Sequence, residues 1–201
     1  LAARMFLGLT RAHLGRTSEA LDDFGDAISV ARRNDDPYWL PRLTSHLGWV
    51  HRELGALDRA REYDTEAVRL ARARPTWGPE SEALLNLCVD DVRDGRAERA
   101  SALLAELQAR AAGTSWMRWL SELRLAAAAA EHWAVRGDRP RAVEHALQLA
   151  EVAERLRSRD YRCAAERIRT ESALASGEGI AGAATRLAAA LGELQGRPAP
   201  L

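Results

Sequence analysis

Residues 7–20 read LGLTRAHLGRTSEA and residues 47–60 read LGWVHRELGALDRA, which share five positions at a displacement of 47 − 7 = 40 residues. Each stretch carries Leu-Gly, a second Leu-Gly seven residues later, and Ala at its last position. The second glycine belongs to a series that runs through the chain: Gly15, Gly55, Gly95, Gly137 and Gly177. The steps of this series are 40, 40, 42 and 40 residues. A fixed period of about 20–50 residues indicates an array of stacked repeats.

Helical patterns lie on both sides of each glycine. Apolar residues recur there at three- and four-residue spacing, as in amphipathic helices, and signals for strands are scarce. Glycine readily takes the left-handed conformation that ends a helix. Small residues recur five positions after each of the first four glycines (Ala20, Ala60, Ala100, Ala142) and seven before all five (Gly8, Gly48, Cys88, Ala130, Thr170). They would let paired helices approach closely, so the pattern predicts an all-α, right-handed superhelix of about five helix pairs.

The predicted units cover almost the whole chain. We expect them at residues 1–36, 37–78, 79–115, 116–158 and 159–196, with a linker over 197–201. We expect helices over 1–14, 17–34, 41–54, 57–73, 80–94, 97–112, 116–136, 139–157, 160–176 and 179–195. Because the helical pattern is already under way at Leu1, we expect the chain to be part of a longer protein.

The charge balance narrows the classes of partner. The 201 residues contain 29 basic and 29 acidic residues, so the formal net charge is zero, and the two signs are interspersed. Nucleic-acid binding proteins usually carry a clustered basic surface, and polybasic segments bind anionic membranes. We therefore expect neither partner. With two cysteines and no apolar run near the roughly 20 residues of a membrane span, we expect a cytoplasmic protein with reduced thiols.

No pattern in the sequence indicates catalysis. Asp90 and Asp91 are adjacent, and on a helix they would point about 100° apart, which prevents them from acting as an acid–base pair. None of the five histidines falls in a metal-binding or nucleophile-activating motif, and a chain without Lys has no Walker A motif. Cys88 occupies a small packing position, and nothing near Cys163 would activate a thiol. We expect no enzyme activity, no cofactor and no metal.

The repeated residues resemble the tetratricopeptide repeat (TPR) signature. The resemblance is carried in the first unit by Leu7, Gly8, Gly15, Ala20, Phe24 and Ala27, and in the second by Leu47, Gly48, Gly55, Ala60 and Ala67. The common repeat spans about 34 residues, whereas this period is 40. The longer form is similar to the TPR-like region of MalT-like transcription activators and of multidomain bacterial signalling ATPases. In such proteins the array is a sensor or partner-binding platform.

The resemblance implies a concave groove lined by the first helix of each pair. Its predicted lining residues are Met5, Leu9, His13, Arg42, Ser45, Trp49, Arg52, Glu53, Glu82, Val89, Arg93, Arg124 and Glu131. Trp49, flanked by Arg52 and Glu53, has the composition of an interface hot spot. Packing of Trp49 against a neighbouring helix is the alternative.

The resemblance also implies a function without catalysis. We expect a protein-interaction or sensor module of a larger bacterial signalling or transcription-regulatory protein, with a protein or peptide partner in the groove. That partner could be another domain of the same chain. A structural spacer, a self-association surface and a small-effector sensor remain alternatives.

Overall fold

In the computed structural model, which describes residues 1–74, 77–110, 118–177 and 179–195, every regular element is an α-helix. The predicted linker over 197–201 lies outside the described residues. The helices of the described part are α1 (Ala2–His13), α2 (Thr17–Arg33), α3 (Trp39–Glu53), α4 (Leu57–Ala73), α5 (Trp77–Arg93), α6 (Ala97–Arg110), α7 (Arg118–Val135), α8 (Arg139–Arg155), α9 (Arg159–Ala175) and α10 (Ile180–Gln195). The all-α prediction is confirmed: within these ranges the ten helices follow one another in the order of five helix–turn–helix pairs.

The chain divides into two compact units. The N-terminal unit covers Leu1–Asp90 and contains α1 to α4 with most of α5. An apolar core in this unit joins Met5, Phe24, Leu43 and Val50 from three helices. The C-terminal unit covers Asp91–Leu201 and contains α6 to α10 within its described part.

The glycine that follows each first helix has the predicted backbone geometry. All five glycines of the series have positive φ, between 69° and 92°. At the first turn, the Gly15 amide donates to the Ala12 carbonyl at 3.0 Å and the Arg16 amide donates to the Arg11 carbonyl at 2.9 Å. These two hydrogen bonds define a Schellman motif, which satisfies carbonyls at the end of a helix. The periodic glycines therefore end the first helix of each pair.

The small residues of the repeat lie where two helices touch. Ala20, Ala60, Ala100 and Ala142 are all fully buried. A Cβ atom added to Gly48 would lie 3.0 Å from the Ala60 carbonyl oxygen and 3.0 Å from Asp64 Oδ2. Since real Cβ atoms rarely approach so closely, a side chain here would push α3 away from α4. Close packing explains the recurrence of small residues in the sequence.

Two helices begin two or three residues earlier than the sequence predicted, and α9 begins one residue earlier. Helix α3 begins at Trp39 rather than at residue 41, and α5 begins at Trp77 rather than at residue 80. Asp36 Oδ1 accepts the Trp39 amide at 2.9 Å and so caps α3. Pro41 lies in the first turn, where a missing amide hydrogen is tolerated. Proline in these connections therefore marks a helix start rather than a break.

Candidate binding surface

In the N-terminal unit, polar side chains join α3 and α5, the first helices of the second and third pairs. Arg42 Nη2 lies 3.1 Å from Glu82 Oε1. Arg52 Nε donates to Asp90 Oδ1 at 2.5 Å and Arg52 Nη2 donates to Asp90 Oδ2 at 3.1 Å. These partners are 82 − 42 = 40 and 90 − 52 = 38 residues apart. Both separations are close to the 40-residue period, so each ion pair joins similar positions in successive repeats.

Helix α4 adds a second carboxylate to this contact. Asp64 Oδ2 accepts from Arg52 Nη2 at 2.6 Å, and Asp64 Oδ1 accepts from Ser45 Oγ and from Asn86 Nδ2, each at 2.9 Å. We call Ser45, Arg52, Asp64, Asn86 and Asp90 the buried polar cluster, since none is more than 4% exposed. Two carboxylates thus share one guanidinium away from water.

Burial dominates the titration of Asp64. Removal from water raises the pKa of Asp64 to about 6, although Arg52, Asn86 and Ser45 all favour the charged form. Within this unit, the cluster fixes the register of three helices through directional hydrogen bonds.

The structure corrects the predicted lining at Met5, Arg42, Ser45 and Arg52. Each of these side chains is at most 4% exposed, so none can contact a partner docked on the folded unit. Met5 packs in the apolar core, and the other three contact neighbouring helices. Helical spacing places residues on a common face, but it does not tell whether water or another helix covers that face.

The remaining predicted residues of α1 and α3 form a small surface. The rings of His13 and Trp49 are stacked, with centroids 4.9 Å apart and planes 28° apart. Leu9 and Trp49 are half-buried against the apolar core, whereas His13 and Glu53 are exposed. His13 Nδ1 lies 2.7 Å from the Leu9 carbonyl oxygen. We call these four residues the His13–Trp49 patch.

The predicted residues of α5 differ in exposure and in the unit to which they belong. Glu82 is half-buried and pairs with Arg42, and Val89 is half-buried. Arg93 is exposed and belongs to the C-terminal unit.

The predicted residues of α7 lie in the C-terminal unit. Arg124 and Glu131 are both half-buried. Glu131 accepts a hydrogen bond from Arg167 of α9. Burial raises the pKa of Tyr161, and the nearby charge of Arg124 partly opposes that rise. As in the N-terminal unit, an ion pair joins two successive first helices.

Sequence reasoning missed a histidine–serine contact in the C-terminal unit. His132 Nε2 lies 2.9 Å from Ser101 Oγ, and the histidine is only 2% exposed. Burial, followed by the charge of Arg136, lowers the pKa of His132, so the neutral ring is favoured. This contact ties α7 to α6. The two residues are 31 positions apart, so local spacing carries no signal for it.

The described residues lack both a metal-binding cluster and a membrane-spanning helix. Over residues 1–74, 77–110, 118–177 and 179–195, no three His, Cys, Asp or Glu side chains are placed to hold a metal ion. Within the same ranges, no helix combines the length and apolarity needed to cross a membrane.

Comparisons with known proteins agree with this architecture. A family model described as tetratricopeptide repeat matches residues 1–73. A crystal structure of nearly identical TPR-like repeats from a putative kinesin light chain of Podosopora anserina is 17% identical, with a TM-score of 0.62. The match covers 98% of this chain and 97% of that one. A single-residue variant of that protein is 18% identical, with a TM-score of 0.62 and coverages of 96% and 93%. No curated protein matches the chain.

These matches show the fold. The chain is a TPR-like helical repeat array, and TPR modules generally serve as scaffolds for protein interaction. The two solved structures compared above come from a fungal putative kinesin light chain, and neither is a MalT-like regulator.

Proposed function

We propose that this chain is a non-catalytic interaction module that binds a segment of a partner protein through the His13–Trp49 patch. Trp49 supports the proposal because interface hot spots are enriched in tryptophan. The ring is half-buried against the core and stacked on His13, which holds it in one orientation. A side chain already fixed loses little entropy on binding. This fixed, partly exposed ring is the observation that carries the proposal.

The patch also suggests the chemistry of its partner. Glu53 lies four residues after Trp49 on α3, so the two share one helix face. An exposed carboxylate beside an aromatic ring favours a segment with an apolar side chain followed by Arg or Lys. The buried polar cluster does not contribute to such a contact because its charges are paired inside the unit.

We further propose that the module belongs to a larger bacterial signalling or transcription-regulatory protein. The support is the 40-residue period and its resemblance to the TPR-like region of MalT-like regulators. In that setting, the partner is a cytoplasmic protein or another domain of the same polypeptide. Reading the gene upstream of Leu1 tests the context: an ATP-binding module supports it, and a start codon immediately before Leu1 refutes it.

Peptide selection on the whole chain tests the binding surface. Peptides enriched from a phage-displayed random library would be labelled and titrated by fluorescence anisotropy. We expect Trp49→Ala to weaken their binding about 30-fold, which corresponds to a hot spot of about 2 kcal/mol. Trp119→Ala is the matched control, since Trp119 is 50% exposed on α7 of the other unit. Circular dichroism would confirm that both variants remain helical.

Because Trp49 also packs against the core, a second variant tests the patch without altering core packing. Glu53 is exposed, so Glu53→Arg should leave the fold intact while weakening basic peptides. Unchanged affinity in both Trp49→Ala and Glu53→Arg would refute the patch. A homodimer seen by light scattering and dissociated by Trp49→Ala would instead assign the surface to self-association. Thermal stabilisation by a small metabolite, lost in Trp49→Ala, would assign it to an effector.

A further inference from the structure

A cavity of about 660 Å³ lies between α8, α9 and α10 in the C-terminal unit. Helices α8 and α10 are the second helices of their pairs, and both pack on α9. The walls include Arg139 and Val143 from α8, Arg169 and Ser172 from α9, and Arg186 from α10. This cavity belongs to the other unit from the His13–Trp49 patch and is independent of the proposed function.

The cavity carries an excess of positive charge. All its charged lining residues are arginines, namely Arg139, Arg169 and Arg186. Glu166 contacts two of them: Oε2 accepts from Arg169 Nη1 at 2.8 Å, and Oε1 lies 3.3 Å from Arg186 Nε. Glu166 is thus a carboxylate that contacts two of the three lining arginines. Arg139 is exposed, and its side chain has no ion pair among the described residues.

Ser172 adds a polar group to the floor of the cavity. Its side chain is only 7% exposed and lines the cavity. Within the described part of the chain, the Ser172 hydroxyl has no hydrogen-bond partner. The neighbouring Ser176 hydroxyl is already used, because it donates to the Ser172 carbonyl at 2.8 Å. A buried hydroxyl that faces a cavity without a protein partner is available to a ligand.

At the start of α8, the cavity is lined by the Arg139 side chain rather than by free backbone amides. Asp138 caps this helix by accepting the Arg141 amide at 3.2 Å. The positive end of the helix is therefore partly neutralised by the protein itself, and Arg139 supplies the charge at this edge. The apolar wall contains Val143 and Ala173, which suits an organic group attached to an anion.

We propose that this cavity binds a phosphate dianion, either free or as the monoester of a small molecule. Guanidinium groups bind phosphate oxygens through charge-assisted, often bidentate, hydrogen bonds. The three guanidinium groups of the lining favour an anion, and the Ser172 hydroxyl provides a further donor. The volume of 660 Å³ accommodates a small ester as well as the anion.

Titration of the whole chain with phenyl phosphate tests the site. Phenyl sulfate is the matched probe because it has the same shape but carries one charge, whereas a phosphomonoester above its second pKa of about 6 carries close to two. Binding is read from the arginine Nε–Hε signals in two-dimensional NMR at pH 7.5 and low salt. We expect saturable shifts with phenyl phosphate and binding of phenyl sulfate that is weaker by about tenfold. Inorganic phosphate separates the free anion from the ester.

Three variants assign the binding to this cavity. We expect Arg139→Gln and Ser172→Ala each to weaken phenyl phosphate binding about five- to tenfold. Glu166→Gln should tighten it several-fold, because it removes the carboxylate that competes for Arg169 and Arg186. Arg155→Gln is the control: Arg155 is exposed on the same helix, pairs with Glu122 and does not line the cavity.

The titrations distinguish the possible ligands and include results that would overturn the proposal. Equal binding of phenyl phosphate and inorganic phosphate assigns the site to the free anion, and stronger binding of the ester assigns it to a phosphorylated small molecule. Shifts that do not saturate, equal binding of phenyl sulfate, or equal losses in Arg139→Gln and Arg155→Gln would each overturn the proposal. Because Arg139 and Arg155 are exposed, neither substitution should unfold the chain, and circular dichroism would verify this.

Discussion

Replacing Arg52 by Ala should destabilise the N-terminal unit strongly. The substitution removes the guanidinium that Asp64 and Asp90 share at 2.6 Å and 2.5 Å. The two carboxylates are 0% and 1% exposed, so they would remain buried without a cation. Sequence reasoning instead places Arg52 in a groove, where its loss would weaken binding and leave the fold intact.

The size of the expected loss of stability follows from the burial of the ion pairs. Removing one partner of a buried ion pair costs about 3–5 kcal/mol, because the other charge is left uncompensated. Small domains unfold with a free energy of about 5–15 kcal/mol. The loss is therefore a large part of the stability of this unit. For a unit of this size we expect the midpoint of thermal unfolding to fall by roughly 15 °C or more.

Urea denaturation followed by tryptophan fluorescence and circular dichroism measures this loss. Arg4→Ala is a matched control, because Arg4 also lies 2.6 Å from a carboxylate, that of Asp26. The side chains of that pair are 50% and 70% exposed, and exposed pairs contribute about 0–1 kcal/mol. Similar losses in Arg52→Ala and Arg4→Ala would refute the reasoning that burial sets the cost.

Three further predictions concern the same unit. Burial raises the pKa of Asp64 from 3.8 to about 6, so its contribution to stability is fully present below pH 3.8 and is lost as the pH rises through 6. Urea titrations across this range should show a fall of up to about 3 kcal/mol, and Asp64→Asn should flatten it. Gly48→Ala should cost about 1–3 kcal/mol of unfolding free energy through overpacking, whereas Gly25→Ala, where an added Cβ meets nothing within 4 Å, should add about 0.5–1 kcal/mol. In hydrogen exchange on a proven monomer, α1, with only Met5 and Gly8 buried, should exchange faster than α3; equal protection would contradict this.

Helix boundaries and turns could be predicted from sequence because their causes are local. Each glycine of the series has positive φ, and a positive φ is a property of one residue and its neighbours. The burial of Ala60 and the close contact at Gly48 follow from the same period. The early start of α3 at Trp39 was missed because it depends on the Asp36 side chain as a cap.

The candidate surfaces were harder to predict because they depend on residues far apart in the chain. Periodicity placed Arg52 and Trp49 on the first helix of a pair. It gave no reason to expect that one side chain would be buried and the other partly exposed. The contact of Arg52 with Asp90, 38 residues away, buries the arginine, whereas Trp49 stacks on His13 and stays partly exposed. The cavity beside Ser172 likewise requires side chains from three helices.

The sequence by itself therefore determined the helices, the glycine turns and the pairing of successive helices. Apolar residues at three- and four-residue spacing encode the helices, and the 40-residue glycine period encodes the turns that join them in pairs. Only the tertiary structure decided which polar residues neutralise one another and which remain available to a ligand. Burial of a charge depends on what covers it, and in this array the covering helix comes from the next repeat.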